Sequence, residues 1–116
     1  MNDTFQAMTK RIRAFRDARD WMQFHTPKEM AVAIAAEAGE LLQHFVWQDA
    51  AQSARRAEER REAIADEMAD VGILLFEFAD NLGIDLRAAM EAKLARNEAR
   101  YPVEKARGSN RKYNEL

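Results

Sequence analysis

The chain has 116 residues, 47% of them hydrophobic and 33% charged, and a formal net charge of −2, which predicts one globular domain with a modest core. The lack of cysteine excludes a disulfide framework, a thiolate metal site and a cysteine nucleophile. No stretch is apolar for the length of a membrane span, and the N-terminus lacks a signal h-region, so we expect a cytoplasmic protein with no membrane partner.

Periodicity and capping signals predict four helices and no strand. The first helix begins after a cap at Asn2, Asp3 or Thr4, and its apolar spacing continues to about Phe24. Few Gly and Pro residues interrupt the pattern, as expected for long helices.

The second predicted helix has a strong start signal in the sequence TPKE. Thr26 is a good N-cap, Pro27 suits the first helical position, and Glu29 would complete a capping box. This helix is predicted to end at about Val46.

A loop, DAAQS, is predicted to precede a long third helix over about 54–82, with Ser53 as its candidate cap. Gly83 is the expected stop, and Asp85 caps a fourth helix that ends near Arg100. The expected architecture is an all-α four-helix bundle.

The predicted domain boundaries follow from the fourth helix. The helical domain covers 1–101, and 102–116 form a basic tail with little periodicity, which is expected to be flexible. Such a tail can offset the charge of an anionic ligand.

Two acidic pairs interrupt helix segments that otherwise suit a core. EAGELLQHFVW contains Glu37 and Glu40, and DEMADVGILLF contains Glu67 and Asp70. Positions three apart lie about 60° from each other around a helix, so each pair shares one face. Apolar residues flank both pairs, which places the acids on or beside the apolar stripe.

Carboxylates gathered in a low-dielectric site repel one another and lose hydration. Each pair alone is explained by a position at the edge of the stripe, with salt bridges to arginine. Two matching pairs on adjacent helices favour a shared metal site instead. Oxygen ligands without cysteine indicate a hard cation, Mg²⁺, with Mn²⁺ as a substitute.

A di-iron carboxylate site is the rival on a helical scaffold, and it requires Glu-x-x-His on two helices. The chain has only His25 and His44, and neither lies three residues after a glutamate. Magnesium sites usually leave positions for substrate phosphates, so the acidic cluster predicts a phosphate ester substrate, most naturally a nucleotide.

These residues resemble a known family. E-x-x-E followed on the next helix by E-x-x-D is similar to the signature of the all-α nucleotide pyrophosphohydrolases, the MazG-like superfamily. RDWMQFHTP, EAGELLQHFVW, DEMADV, KLARNEARYP and RKYNEL resemble segments of its dCTP pyrophosphatase branch, in the same order, from about Phe15 to Leu116.

The resemblance implies roles by position. The Mg²⁺ ligands would be Glu37, Glu40, Glu67 and Asp70, and Glu37 or Glu40 would be the catalytic base. The nucleotide would contact Trp21, His25, Trp47, Leu74, Lys93 and Asn97. Animal members carry a tyrosine where this chain has Leu74, which puts discrimination between deoxyribose and ribose in doubt.

The implied reaction is Mg²⁺-dependent hydrolysis of a deoxynucleoside triphosphate to the monophosphate and pyrophosphate. The expected substrate is dCTP or a C5-modified dCTP, with dUTP as an alternative. A helical interaction module without enzymatic activity is the alternative of a different class, and no nucleic-acid partner is expected.

Assembly is predicted from the third helix and from the resemblance. Its second half is apolar beyond a single stripe, more than a monomer of this size can bury. Family members are homotetramers, so we expect a homotetramer, with a tight dimer as the alternative.

Overall fold

The computed structural model describes residues 3–116, and within them the protein is all-α. Two short 3-10 helices, Met22–Phe24 and Tyr113–Glu115, accompany the α-helices, and no strand occurs in this range. The α-helices are α1 (Thr4–Ala18), α2 (Pro27–Gln43), α3 (Ala50–Glu59), α4 (Arg61–Asn81), α5 (Leu86–Arg100) and α6 (Val103–Ala106). The candidate cap Asn2 lies outside the described residues.

Several predicted helix ends are confirmed by their hydrogen bonds. Asp3 caps α1 by accepting from the Phe5 amide at 2.9 Å, and Asp85 caps α5 by accepting from the Ala88 amide at 3.0 Å. Gly83 has a φ of 68°, the left-handed conformation that ends helices most cheaply at glycine.

Thr26 caps α2 as predicted, with its hydroxyl 3.4 Å from the Glu29 amide. The Glu29 carboxylate does not complete the expected capping box. It pairs with the Lys28 ammonium at 2.9 Å instead.

The predicted ends of the first two helices are wrong. α1 ends at Ala18 rather than near Phe24, because Asp20 adopts a left-handed φ of 54° before the first 3-10 turn. α2 ends at Gln43 rather than near Val46, and a turn follows in which Trp47 has a φ of 66°.

The third predicted helix is two helices. α3 starts earlier than expected because Asp49, not Ser53, is its cap, and Asp49 and Gln52 form a reciprocal capping box. The helix then breaks at Arg60, so that α4 begins at Arg61. The tail also contains helix, namely α6 and the second 3-10 turn.

The chain divides into two compact units, residues up to Gly83 and residues Ile84–Leu116. In the first, α4 is the central helix, since α1, α2 and α3 all pack on it. Arg13 joins α1 to α4 through a two-pronged ion pair with Asp80, at 2.6 and 2.9 Å. In the second, Tyr113 packs edge-on against Tyr101.

None of the helices within residues 3–116 combines the length and apolarity that crossing a bilayer requires.

Candidate functional site

Three carboxylates converge where α2 packs against α4. Glu37 comes from α2, and Glu67 and Asp70 come from α4. One oxygen of each lies within 4.8 Å of the others. The two helices therefore bring the predicted acidic pairs to one place, as their shared face requires.

Two oxygens of this cluster are buried without a partner. Glu37 Oε2 and Glu67 Oε2 have no hydrogen-bond donor within residues 3–116. A buried carboxylate oxygen that accepts no bond is costly, unless a proton or a cation satisfies it. These orphaned atoms are the observation by which the residues fit a divalent metal ion.

The fourth predicted ligand, Glu40, lies beside the cluster and acts on its two half-buried glutamates, Glu37 and Glu67. The pKa of Glu37 is raised, first by burial and then by the charge of Glu40 and hydrogen bonding to it. Burial likewise raises the pKa of Glu67, followed by hydrogen bonding to Glu40 and its charge. Asp70 raises the pKa of both by charge. A cation reverses this penalty, because it favours the ionised carboxylates.

His44 is the C-cap of α2, one heptad after Glu37, and its Nδ1 is buried with no hydrogen-bond partner in the described part of the chain. The three-residue cluster contains carboxylates only. An all-oxygen donor set suits a hard cation better than a transition metal that prefers imidazole.

A pocket of about 290 Å³ adjoins the carboxylates. Glu37 and Asp70 form one part of its wall, and Trp21, His25 and Leu74 also line it. The full lining consists of Ile12, Phe15, Arg16, Trp21, His25, Glu37, Asp70, Ile73, Leu74 and Glu77. Three of the predicted nucleotide contacts thus share one pocket with two of the predicted metal ligands.

The aromatic part of this pocket is held by ring and cation contacts. Trp21 packs edge-on against Phe15 at 5.6 Å between ring centroids, and the Arg19 guanidinium lies 3.8 Å from the Phe15 centroid. Trp21 is 42% exposed, so it is not a core residue of the single chain.

Sequence reasoning missed a buried polar network at the same pocket. Glu77 Oε2 lies 2.6 Å from His25 Nδ1 and accepts from Asn81 Nδ2 at 2.9 Å. Asn81 Oδ1 in turn accepts from Arg16 Nη1 at 2.6 Å. The available signal was Glu77 itself, an isolated acid in the apolar run GILLFEF, seven residues after Asp70 and hence on its face.

The other three predicted nucleotide contacts are Trp47, Lys93 and Asn97. Trp47 is 95% exposed and does not line the pocket. Lys93 and Asn97 belong to α5, in the second compact unit. Their roles stay predictions.

The raised pKa values predict how stability depends on pH without divalent cations. The folded protein retains protons on Glu37 and Glu67 at pH values where the unfolded chain has lost them. The free energy of unfolding therefore falls as pH rises above the ordinary glutamate range, about 4.3. Glu67→Gln removes part of this penalty.

In thermal melts with a chelator, Glu67→Gln should melt at or above the wild-type temperature at pH 7, and the advantage should vanish below about pH 4. Excess Mg²⁺ should raise the wild-type midpoint more than that of the variant. Glu58→Gln, an exposed change on α3, is the matched control. A Glu67→Gln protein that melts clearly lower at pH 7 with chelator contradicts the electrostatic account.

The chain is similar to several known proteins. The chain is 38% identical to dCTP pyrophosphatase 1 of Rattus norvegicus and of Homo sapiens over 104 residues. That match covers 88% of this chain, which spans 61% of the length of each relative.

A crystal structure of a pyrophosphatase from Archaeoglobus fulgidus is also similar. The TM-score is 0.84 at 34% identity, and the match covers 88% of this chain and 95% of the other. The MazG-like family model matches residues 32–116, which include all four predicted metal ligands. The chain therefore belongs to the MazG-like family.

Proposed function

We propose that the protein hydrolyses a deoxynucleoside triphosphate to the monophosphate and pyrophosphate in a Mg²⁺-dependent reaction. One observation carries the proposal: Glu37, which has a buried carboxylate oxygen without a partner, lines a pocket together with Asp70, an aromatic ring and a histidine. The cluster suits a cation that attracts phosphates, and the rest of the pocket suits a nucleoside. The names of the relatives support this reaction class.

Glu37, Glu40, Glu67 and Asp70 would hold the metal, with Mn²⁺ able to replace Mg²⁺. When bound, the ion would supply charge neutralisation for the phosphates. The reaction adds water across the bond between the α and β phosphates, and one proton must leave the water. Glu37 or Glu40 would accept that proton, since a carboxylate that is a metal ligand or lies next to one is within reach of the attacking water.

The remaining pocket residues would bind the nucleoside. Trp21 offers a flat apolar surface for the base, His25 offers a ring nitrogen, and Leu74 offers an apolar contact for the sugar. Trp47, Lys93 and Asn97 are also proposed to contact the nucleotide, the lysine by offsetting the charge of the triphosphate.

The preferred substrate is proposed to be dCTP or a C5-modified dCTP, with dUTP as the alternative. The proposal follows the name of the mammalian relatives, dCTP pyrophosphatase 1, to which this chain is 38% identical over 104 residues. A cytoplasmic location stays a prediction as well.

A pyrophosphate-release screen over all ribo- and deoxynucleoside triphosphates tests the function directly. With Mg²⁺, we expect release from deoxynucleotides, with dCTP among the best substrates, and no release with chelator. No release from any triphosphate, and no rise in melting temperature with Mg²⁺ and dCTP, would favour a helical interaction module instead.

Removing one ligand charge should stop turnover while leaving the fold intact. Asp70→Asn preserves shape but weakens the attraction for the cation, so pyrophosphate release should fall to background. Glu40→Gln should behave in the same way. Melting temperature and circular dichroism serve as controls for folding. Near-normal activity in both variants would show that these carboxylates do not hold the metal.

Losing the Trp21 ring should weaken substrate binding more than it weakens the fold. Stacking on an aromatic ring contributes about 1–3 kcal/mol per base, so Trp21→Ala should raise KM roughly 5- to 150-fold. A variant that melts early but keeps a normal KM when folded would assign the ring to structure. Trp47→Ala removes an almost fully exposed ring. A raised KM in this variant would support a contact of Trp47 with the nucleotide in a site supplied by another copy of the chain.

We further propose a homo-oligomer, a tetramer or a tight dimer, in which helices complete a four-helix bundle. The single chain buries few hydrophobic side chains, namely Ile12, Met30 and Ala79 among the described residues, while large apolar side chains on every long helix stay exposed. Burying such surface is the main driving force of association. Light scattering at micromolar concentration should give a multiple of the chain mass, and a monomeric mass would refute the proposal.

A further inference from the structure

Glu77 is a buried carboxylate that faces the pocket and has no part in the metal cluster. Its side chain is 5% exposed, and it lines the same pocket as Asp70 and His25. Burying a charge in the middle of an apolar helix is costly. Such a residue calls for a ligand or a structural partner that offsets the cost.

The hydrogen bonds of Glu77 within residues 3–116 all fall on one oxygen. Oε2 is hydrogen-bonded to His25 Nδ1 at 2.6 Å and accepts from Asn81 Nδ2 at 2.9 Å. An ionised carboxylate can only accept, so His25 donates from Nδ1, and its Nε2 is an acceptor when the ring is neutral. Oε1 is left free to accept from a ligand in the pocket.

A purely structural role explains this arrangement less well. The buried Arg16 is the nearby cation, yet it pairs with Asp17 at 2.7 Å and donates to Asn81. Asn81 therefore links Glu77 to Arg16, and its hydrogen bond holds the Glu77 carboxylate in place. The network fixes the orientation of Glu77 and leaves its Oε1 without a hydrogen bond, as in sites that recognise a ligand.

The position of Glu77 along α4 matches the far end of a nucleotide. Seven residues separate it from Asp70, which is about 10 Å along a helix on the same face, with Leu74 between them. A nucleoside monophosphate spans a comparable distance from its phosphate to the outer edge of its base. Phosphates beside Asp70 thus place the sugar near Leu74 and the base edge near Glu77.

We propose that Glu77, with His25, is a specificity-determining residue that selects bases carrying an exocyclic amino group. This inference rests on the proposed function. At this edge, Oε1 of the Glu77 carboxylate can only accept. It accepts from an amino group, whereas a keto oxygen at the same place meets a negative charge. The same charge repels phosphates, which keeps the triphosphate at the metal end.

The test compares dCTP with dUTP, which differ in an amino or a keto group at position 4 and in the hydrogen that uracil carries on N3. In Glu77→Gln, the amide can keep its oxygen on His25 and Asn81 and turn its NH₂ towards the pocket. The ratio of kcat/KM for dCTP over dUTP should then fall on the order of 10- to 100-fold, mostly by loss of dCTP turnover. Glu58→Gln should leave the ratio unchanged. A general loss of stability lowers both rates and does not move their ratio.

The outcomes separate this inference from the proposed function. If the wild type releases pyrophosphate and prefers dCTP, but Glu77→Gln keeps the wild-type ratio, the role of Glu77 is overturned and the hydrolase activity stands. A wild type that prefers dUTP to dCTP has the same consequence. A wild type that hydrolyses no triphosphate overturns both.

A second measurement needs no variant, which matters if Glu77→Gln fails to fold. The wild-type enzyme is assayed with a deoxynucleoside triphosphate whose pyrimidine has hydrogen in place of the 4-amino group. Loss of the amino group removes one hydrogen bond, and a keto group adds repulsion. We therefore expect dCTP first, the unsubstituted base second and dUTP last. Equal rates for dCTP and the unsubstituted base, which differ only in the amino group, would contradict its recognition by Glu77.

Discussion

The packing of α2 against α4 is the contact on which the candidate site depends. It places Glu37, Glu67 and Asp70 within 4.8 Å of one another and takes one oxygen of each glutamate out of water without giving it a donor. Hydrophobic burial along the two helices must offset that electrostatic cost. A bound cation would convert the same repulsion into attraction, so the site is built at the expense of the stability of the metal-free fold.

The pocket next to this cluster has two acidic regions of different chemistry. Near Asp70, burial and the charges of neighbouring carboxylates raise the pKa of Glu37 and Glu67. Two helical turns away, Glu77 is a single carboxylate that is hydrogen-bonded to His25 and Asn81. The first region suits a multivalent cation, and the second suits a neutral hydrogen-bond donor. A nucleotide would thus be oriented along α4, with a cation at its phosphate end only.

The acidic pairs and the start signals were readable from the sequence because they are local. A spacing of three residues fixes Glu37 with Glu40 on one face, and Thr26 and Asp85 are capping residues by chemistry. The break at Arg60 was not readable, since the charged run RRAEERRE contains no Gly or Pro. Glu77 was missed because its partner His25 is distant in sequence, as is Arg16, which binds Asn81 next to it, and only tertiary packing brings these residues together.

Anomalous diffraction from crystals grown with Mn²⁺ tests the central claim most directly, because manganese can be located by its own scattering and replaces magnesium at oxygen sites. The account predicts an anomalous peak among the carboxylates of Glu37, Glu67 and Asp70, and its loss in Glu67→Gln crystals grown in the same way. Manganese bound elsewhere, with these three carboxylates instead paired to arginine or lysine, would contradict it.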